Sequence, residues 1–250
     1  TCVADTACGE HGGVIMTQQD FLARLRTGEV IVADGAMGTM LQESGLPPGT
    51  PPEGWLLERP DAVIDVHRAY IDGGASLILT CTFGATRTRL KRYGLGDRVG
   101  EINRRAVEIA RDAADGDVFV AGDIGPMGEF LAPLGTVLYE EAVEIFAEQA
   151  EALAEAGVDV IYIETMAALD EVRAAVEGAL RAGDGTPVSA TLSFDSHGRT
   201  NMGVRPEEAA EALVELGVDA LGANCGATLE MTLAAVETMH RVMPEMPLIA

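Results

Sequence analysis

The chain of 250 residues is short of basic side chains, cysteine and aromatic residues. Lysine and arginine number 17 against 40 acidic residues, which gives a formal net charge of −23. Such a chain is repelled by nucleic-acid phosphates and by anionic membrane surfaces, so we expect neither nucleic acid nor a membrane as a partner. No apolar run approaches the roughly 18 residues of a membrane-spanning helix.

Four cysteines, at positions 2, 8, 81 and 225, are too few for a disulfide framework. This low content favours a reducing compartment, and we therefore expect a cytoplasmic protein. Hydrophobic residues nevertheless make up 48% of the chain, which is enough for a large core. The length suits one domain or two small ones, and it is also about that of a complete (β/α)₈ barrel.

The two ends of the sequence differ from its middle. Residues 1–15 show neither helical nor strand periodicity, so we expect an unpatterned N-terminal extension there and a barrel domain over residues 16–250. Residues 247–250 read as the opening of a buried strand that the sequence does not complete. We therefore expect the domain to be incomplete at its C-terminus.

Short β-rich segments alternate with long helical segments rich in alanine and glutamate. The predicted strands cover residues 30–34, 76–80, 118–122, 159–163, 188–194 and 218–223, with a seventh beginning at Leu248. Most of their length lacks polar–apolar alternation, which is typical of parallel strands covered by helices. The clearest helices are predicted over residues 139–156 and from Pro206 to the residue before Gly217.

An internal repeat supports this alternation. Residues 151–159 (EALAEAGVD) recur 60 residues later as residues 211–219 (EALVELGVD), and residues 70–76 (YIDGGAS) are a looser version. The offset corresponds to two βα units of about thirty residues each. Repeated βα units predict a parallel sheet with right-handed crossovers, either as a closed barrel or as an open doubly wound sheet.

Polar or reactive side chains follow strand after strand at its C-terminal end. They are Asp34, Thr80, Cys81, Thr82, Asp123, Glu164, Asp195, Asn224 and Cys225. In a barrel these ends converge on one mouth, whereas an open sheet concentrates its chemistry at one switch point. The dinucleotide-binding fingerprint and the P-loop are absent from the sequence. We therefore predict an α/β fold of the (β/α)₈ TIM type, truncated in the seventh strand.

Two acidic residues are candidates for binding an amino group. Asp34 opens the turn 34–39 (DGAMGT), whose backbone N–H groups suit a carboxylate while Asp34 suits an ammonium group. The alternative is that Asp34 caps the next helix. Glu164 directly follows an apolar strand, where a carboxylate must be paired or hydrogen-bonded or become neutral. Its alternative role is a carboxylate satisfied by structural backbone donors.

Cys225 is the candidate for metal or thiolate chemistry. At the end of the sixth predicted strand its thiolate would serve as a nucleophile or a soft metal ligand, and the alternative is a small buried hydrophobic residue. No HExxH, CxxC or HxH pattern accompanies it in the sequence. No histidine stands beside a serine or cysteine in a triad-like context, so we assign no catalytic histidine.

Six motifs in order at the strand ends resemble the homocysteine S-methyltransferase domain family. They are residues 34–39, 79–85, 122–126, 163–165, 194–199 and 222–225. The segments 122–129 and 133–135 look most like the N-terminal homocysteine-binding module of bacterial cobalamin-dependent methionine synthase. The resemblance implies the same (β/α)₈ barrel that the strand ends predict.

The resemblance also implies a set of site residues. Family members hold Zn²⁺ with three cysteines, of which one matches Cys225 and two adjacent ones are expected beyond Ala250. Asp34, Gly35, Glu164, Thr82 and Asn224 match the substrate site, with the two carboxylates on the ammonium group. The sequence departs from the family at residue 81, where many members have asparagine rather than cysteine.

The implied activity is zinc-dependent methyl transfer to the homocysteine thiolate, which yields methionine. The implied donor is methylcobalamin charged from methyltetrahydrofolate, on cobalamin- and folate-binding modules downstream or on a separate protein. Two alternatives remain: a stand-alone enzyme that uses S-methylmethionine, betaine or a separate corrinoid protein, and a barrel that only binds a thiol or amino acid. No catalytic residue is expected beyond the zinc-activated substrate thiolate, and we expect residues 1–250 alone to be inactive.

Overall fold

The computed structural model describes residues 16–114, 116, 118–195 and 197–250. The predicted extension over residues 1–15, with Cys2 and Cys8, lies outside these described residues.

The sheet explains why the polar strand ends meet. In the described part of the chain it has six parallel strands: β1 (Leu77–Leu79), β2 (Phe119–Ile124), β3 (Val160–Met166), β4 (Val188–Leu192), β5 (Ala220–Ala223) and β6 (Leu248–Ile249). They pair strictly in chain order, each with the next. A doubly wound sheet reverses its order at a switch point, whereas a barrel wall does not. The fold is therefore a parallel α/β sheet curved like part of a (β/α) barrel, and its closure with eight strands stays a prediction.

The first predicted strand is wrong as a continuous strand. Of residues 30–34 only Ala33 forms a bridge, with Leu77, and Asp34 N–H donates to the Leu77 carbonyl at 3.0 Å. Val30 and Val32 are 82% and 51% exposed, because this segment pairs on one side only and through few bonds. The other predicted strands are confirmed with ends that shift by up to three residues.

Helices separate the strands and cover the outer face of the sheet. The described chain has α1 (Gln18–Thr27), α2 (Met37–Glu43), α3 (Trp55–Glu58), α4 (Pro60–Asp72), α5 (Arg87–Lys91), α6 (Val99–Ala114), α7 (Tyr139–Glu155), α8 (Leu169–Ala182), α9 (Pro206–Leu216) and α10 (Leu229–Val242). The two helices predicted from sequence correspond to α7 and α9. Each is followed by a glycine at positive φ, Gly157 at 87° and Gly217 at 85°, as left-handed helix ends require.

The internal repeat has a structural role that its three copies share. The Asp159 carboxylate accepts the Val120 N–H at 2.7 Å, and the Asp219 carboxylate accepts the Val188 N–H at 2.9 Å. In the looser copy, Ser76 Oγ accepts the Val32 N–H at 3.1 Å. Each repeat thus ends a helix and then ties the new strand to its preceding neighbour.

The alternation of side chains along the strands divides the core in two. Ile78, Val120 and Ile161 pack outward against the helices. The intervening positions form an inner cluster together with Phe21, and its strand residues are Leu77, Phe119, Ala121, Val160 and Tyr162. Within it the Phe21 ring of α1 meets Phe119 edge-on at 5.5 Å between centroids. The same period of two places Asp123 and Glu164 on the inner face, one step beyond Ala121 and Tyr162.

Candidate functional site

A cavity of about 1140 Å³ runs along the inner face of the sheet, from Phe21 and Pro247 near the N-terminal ends of the strands to Asn224 at their C-terminal ends. Of the predicted site residues, it is lined by Asp34, Gly35, Glu164, Asn224 and Cys225. Residues as far apart in sequence as 34 and 225 therefore meet, because parallel strands bring their C-terminal ends to one edge.

Asp34 is half-buried at the start of the segment that leads into α2. Its Oδ2 accepts the Leu79 N–H at 3.0 Å, which fixes the carboxyl against β1. Burial raises its pKa to about 7, the Leu79 hydrogen bond opposes that rise, and the nearby Glu164 adds to it. The N-cap of α2 is Ala36 without a side-chain cap, so Asp34 is not the cap of this helix.

Gly35 brings the backbone to the edge of the cavity. A Cβ at this position would lie 3.2 Å from the Tyr70 hydroxyl, which itself donates to the Ala36 carbonyl at 3.3 Å. The turn therefore packs closely on Tyr70, and a Cβ at position 35 would require the Tyr70 ring to shift by a few tenths of an ångström.

Asn224 holds Glu164 in place. Its Nδ2 donates to Glu164 Oε2 at 2.7 Å and to Thr165 Oγ1 at 2.9 Å. Its Oδ1 accepts the Thr165 N–H at 3.1 Å and the Thr191 hydroxyl at 2.9 Å. Burial raises the pKa of Glu164 to about 7, although the Asn224 hydrogen bond counteracts it. The amide thus joins β3, β4 and β5 and directs a carboxyl into the cavity.

Cys225 presents an exposed free thiol beside this network. Its backbone lies in the left-handed region with φ of 48°, and its carbonyl accepts the Ser193 hydroxyl at 2.9 Å. The Asn224 Nδ2 lies 3.7 Å from the thiol sulfur. Exposure rules out the alternative role as a buried hydrophobic residue. Among the described residues no three His, Cys, Asp or Glu side chains are grouped to hold a metal ion.

Thr82 differs from the expectation that it contacts substrate. The residue is fully buried, and its hydroxyl lies 2.6 Å from Thr80 Oγ1 and donates to the Asp123 carbonyl at 2.7 Å. It is not among the residues that line the cavity. The structure therefore gives Thr82 a positioning contact to the neighbouring strand end, because its hydroxyl is engaged by Thr80 and Asp123, which themselves line the cavity.

Two further buried carboxyls line the cavity, and only one of them stands among the strand-end side chains predicted from sequence. Asp123 is 5% exposed, and burial together with the charges of Glu164 and Asp34 raises the pKa of its carboxyl. Glu53 is 4% exposed, and its Oε1 accepts the Gly84 N–H, which anchors the residues around 49–54 to the mouth. Asp123 was predicted at a strand end, without a binding role, whereas nothing local in sequence identifies Glu53.

The fold and the cavity define a class of protein, a parallel α/β-sheet protein whose strand ends gather carboxyls and one thiol. Residues 31–250 match the protein family described as homocysteine S-methyltransferase. The chain therefore belongs to this family, and its members are methyltransferases.

Relatives within the family carry different names. The chain is 34% identical over 212 residues to methionine synthase of Mycobacterium leprae, a match that covers 78% of the chain and 18% of that protein. It is 33% identical over 229 residues to betaine–homocysteine S-methyltransferase 1 of Mus musculus, covering 89% of the chain and 54% of that protein. The chain thus spans about half or less of the length of these relatives.

A solved structure shows the same fold. The metallated form of the homocysteine methyltransferase MmuM from Escherichia coli superposes with a TM-score of 0.79 at 27% identity. The match covers 91% of the chain and 85% of that structure. In the described part of the chain, no helix has the length and apolar character to cross a membrane.

Proposed function

We propose that the chain binds homocysteine and presents its sulfur for methylation, which produces methionine. The observation that carries this proposal is the grouping of Asp34 and Glu164, two carboxyls with pKa raised to about 7, in one cavity with the exposed Cys225 thiol. An amino acid that carries a thiol has an ammonium group, which the two carboxyls would bind, and a sulfur, which would lie on the side of Cys225. The mouse and mycobacterial relatives support this substrate class through their names.

The chain's own residues bind and orient the substrate. Near neutral pH the two carboxyls together hold less than their full negative charge, and a bound ammonium group draws them to the ionised form. Asn224 keeps Glu164 directed at that ammonium through its 2.7 Å hydrogen bond. The backbone N–H groups of the turn around Gly35 are the proposed partners of the substrate carboxylate.

The reaction joins the homocysteine sulfur to a methyl carbon. The bond between methyl and donor breaks, the new C–S bond forms, and the thiol loses its proton. We infer methylcobalamin, charged from methyltetrahydrofolate on further modules or a separate protein, as the donor because of the similarity to methionine synthase. Betaine or S-methylmethionine is the second candidate, which the similarity to the mouse betaine enzyme favours. We place this reaction in the cytoplasm because of the low cysteine content.

Zinc is the proposed cofactor, and when bound it would lower the pKa of a coordinated thiol. The described residues do not complete its site, since Cys225 is a single ligand where three protein cysteines are expected. The further two are the pair that the family resemblance implies beyond Ala250. We therefore expect the chain of 250 residues to bind less than one equivalent of zinc after dialysis and to form no methionine. Metal analysis by mass spectrometry checks this, and stoichiometric zinc with methionine formation would contradict it.

The test of the activity uses the full-length protein with homocysteine and each donor in turn, with methionine measured by mass spectrometry. We expect methionine with one donor class, and a loss of at least about tenfold in kcat/KM for Asp34→Asn and for Glu164→Gln, since each removes a charged hydrogen-bond partner of the ammonium. Binding of homocysteine without methionine from any donor would instead favour the barrel that only binds a thiol or amino acid.

A further inference from the structure

The carboxyl of Asp123 is the part of the cavity for which the proposed function has no role. Asp123 is 5% exposed and lines the cavity together with Asp34 and Glu164. Its Oδ1 is buried and has no hydrogen-bond partner among the described residues. A buried carboxyl oxygen without a hydrogen-bond partner lowers the stability of the fold, so a role in folding does not explain why the Asp123 carboxyl lies here.

The backbone of Asp123 holds this carboxyl where it is. Its N–H donates to Thr80 Oγ1 at 3.0 Å. Its carbonyl accepts the Thr82 hydroxyl at 2.7 Å and the Gln149 side-chain amide at 3.2 Å. These contacts fix both peptide groups of Asp123, so its side chain starts from a defined position at the end of β2. Asp123 thus lines the cavity from a rigid strand end, and one of its carboxyl oxygens has no hydrogen-bond partner among the described residues.

The charges around Asp123 are of one sign. Glu164, Asp34, Glu53 and the Cys225 thiol all act on it in the same direction. In the part of the chain that the structure describes, Arg89 is the one cationic side chain on the cavity wall. Its guanidinium donates to the Pro126 carbonyl at 3.2 Å and lies over the Phe83 ring. The acidic groups at the centre of the cavity therefore lack a positive charge that would balance them.

The spacing of the acidic groups bears on the kind of cation. The described residues include no group of three such side chains close enough to share one metal ion. An ammonium group carries three N–H donors that diverge, and each of them can take its own acceptor.

We propose that Asp123 is a third acceptor for the ammonium group of the substrate and sets the preference for amino-acid thiols over thiols that lack an amine. This inference rests on the proposed function, because it assigns a further specificity-determining residue to the same site. Asp34 lies on the segment before β1, Asp123 on β2 and Glu164 on β3, so the three carboxyls hold the ammonium from three parts of the sheet.

The test compares two ligands that differ only in the amine, L-homocysteine and 4-mercaptobutanoate, by titration calorimetry on the full-length protein. In the wild type we expect homocysteine to bind more tightly. Asp123→Asn should weaken homocysteine about tenfold, the usual size of one charged hydrogen bond, and leave 4-mercaptobutanoate unchanged. Asp219→Asn makes the same substitution at the opposite end of the sheet and should change neither affinity.

The ratio of the two affinities separates recognition from structural damage. A general distortion of the cavity would weaken both ligands alike, and an unchanged ratio in Asp123→Asn would overturn the proposal in either case. If the wild type binds no homocysteine, the proposed function is wrong, and this inference is then wrong as well. If the wild type prefers homocysteine and the variant keeps that preference, only the inference fails.

A second measurement guards against a folding role for Asp123. Because its carboxyl has no structural partner and is repelled by its neighbours, we expect the melting temperature of Asp123→Asn to equal or exceed that of the wild type. A clear drop would show that the carboxyl serves the fold and would contradict the proposal. Asp123→Ser, which also removes the charge with a smaller side chain, should shift the affinity ratio in the same direction.

Discussion

At the scale of single residues, the amide of Asn224 does the most to shape the cavity. It contacts Glu164, Thr165 and Thr191 with four hydrogen bonds between 2.7 and 3.1 Å. These contacts use both of its donors and both lone pairs of its oxygen, so no other residue type reproduces the set. Asn224 therefore links the position of Glu164 to the position of the neighbouring Cys225.

Replacing Asn224 by aspartate should be more harmful to binding than its size suggests. A carboxylate would replace the donor that faces Glu164 Oε2, and the resulting repulsion would raise the pKa of Glu164 further. We expect homocysteine affinity to fall at least about tenfold at neutral pH, with partial recovery above that pH as Glu164 ionises. Calorimetric titrations at several pH values measure this.

A matched control for that substitution is Asn201→Asp, at an exposed position in the loop after β4. It adds the same charge outside the cavity and should leave the affinity unchanged. Equal losses in the two variants would mean that overall charge, rather than the contact to Glu164, controls binding.

At the scale of secondary-structure elements, much of the fold follows from local patterns. The apolar runs predicted β1 to β6, and the residues Pro206, Gly157 and Gly217 marked helix ends, because these features act within a few residues. Residues 30–34 failed as a strand because pairing depends on a partner that the local sequence does not contain.

Part of the site was also predicted from local sequence patterns. Asp34, Glu164 and Asn224 stand at strand ends, and the structure brings them to one cavity. Thr82 lies beyond the end of β1, where the period of two no longer decides which way a side chain points. Glu53 reaches the cavity through a long loop, and its contact with Gly84 depends on tertiary packing.

The repeated tie between strands gives a prediction at this scale. Asp219→Ala removes the acceptor of the Val188 N–H, which sits at 2.9 Å in the native sheet, and should lower the free energy of unfolding by about 1–3 kcal/mol. Asp219→Asn keeps a side-chain oxygen at that place, so its effect should be smaller. Urea unfolding of the two variants and the wild type measures the difference. Identical stabilities for alanine and asparagine would show that the hydrogen bond does not join β4 and β5 as described.

At the scale of the whole molecule, the convergence of strand ends has opposite effects on ligand binding and on the stability of the fold. The cavity collects carboxyls from the segment before β1, from β2 and from β3, and burial raises the pKa of each. In the folded protein, the protonated neutral form of each of these carboxyls is favoured over the ionised form. The unfolded chain has no such preference, so the fold should be more stable where these groups are protonated.

This coupling predicts the sign of the pH dependence. The pKa values of Asp34 and Glu164 are raised to about 7 in the folded protein from their usual 3.8 and 4.5, so the folded state holds their protons over the range between. Because the folded state binds protons that the unfolded state has lost, the free energy of unfolding falls as pH rises, by about 1.4 kcal/mol per pH unit for each group. The contribution is present below the unfolded pKa, is lost progressively up to about pH 7 and then levels off. Urea unfolding at about pH 5 and pH 7 should show a smaller difference in Asp34→Asn and Glu164→Gln than in the wild type. Parallel pH profiles for wild type and variants would mean that these carboxyls titrate normally, and the electrostatic basis of the proposed ammonium site would then be wrong.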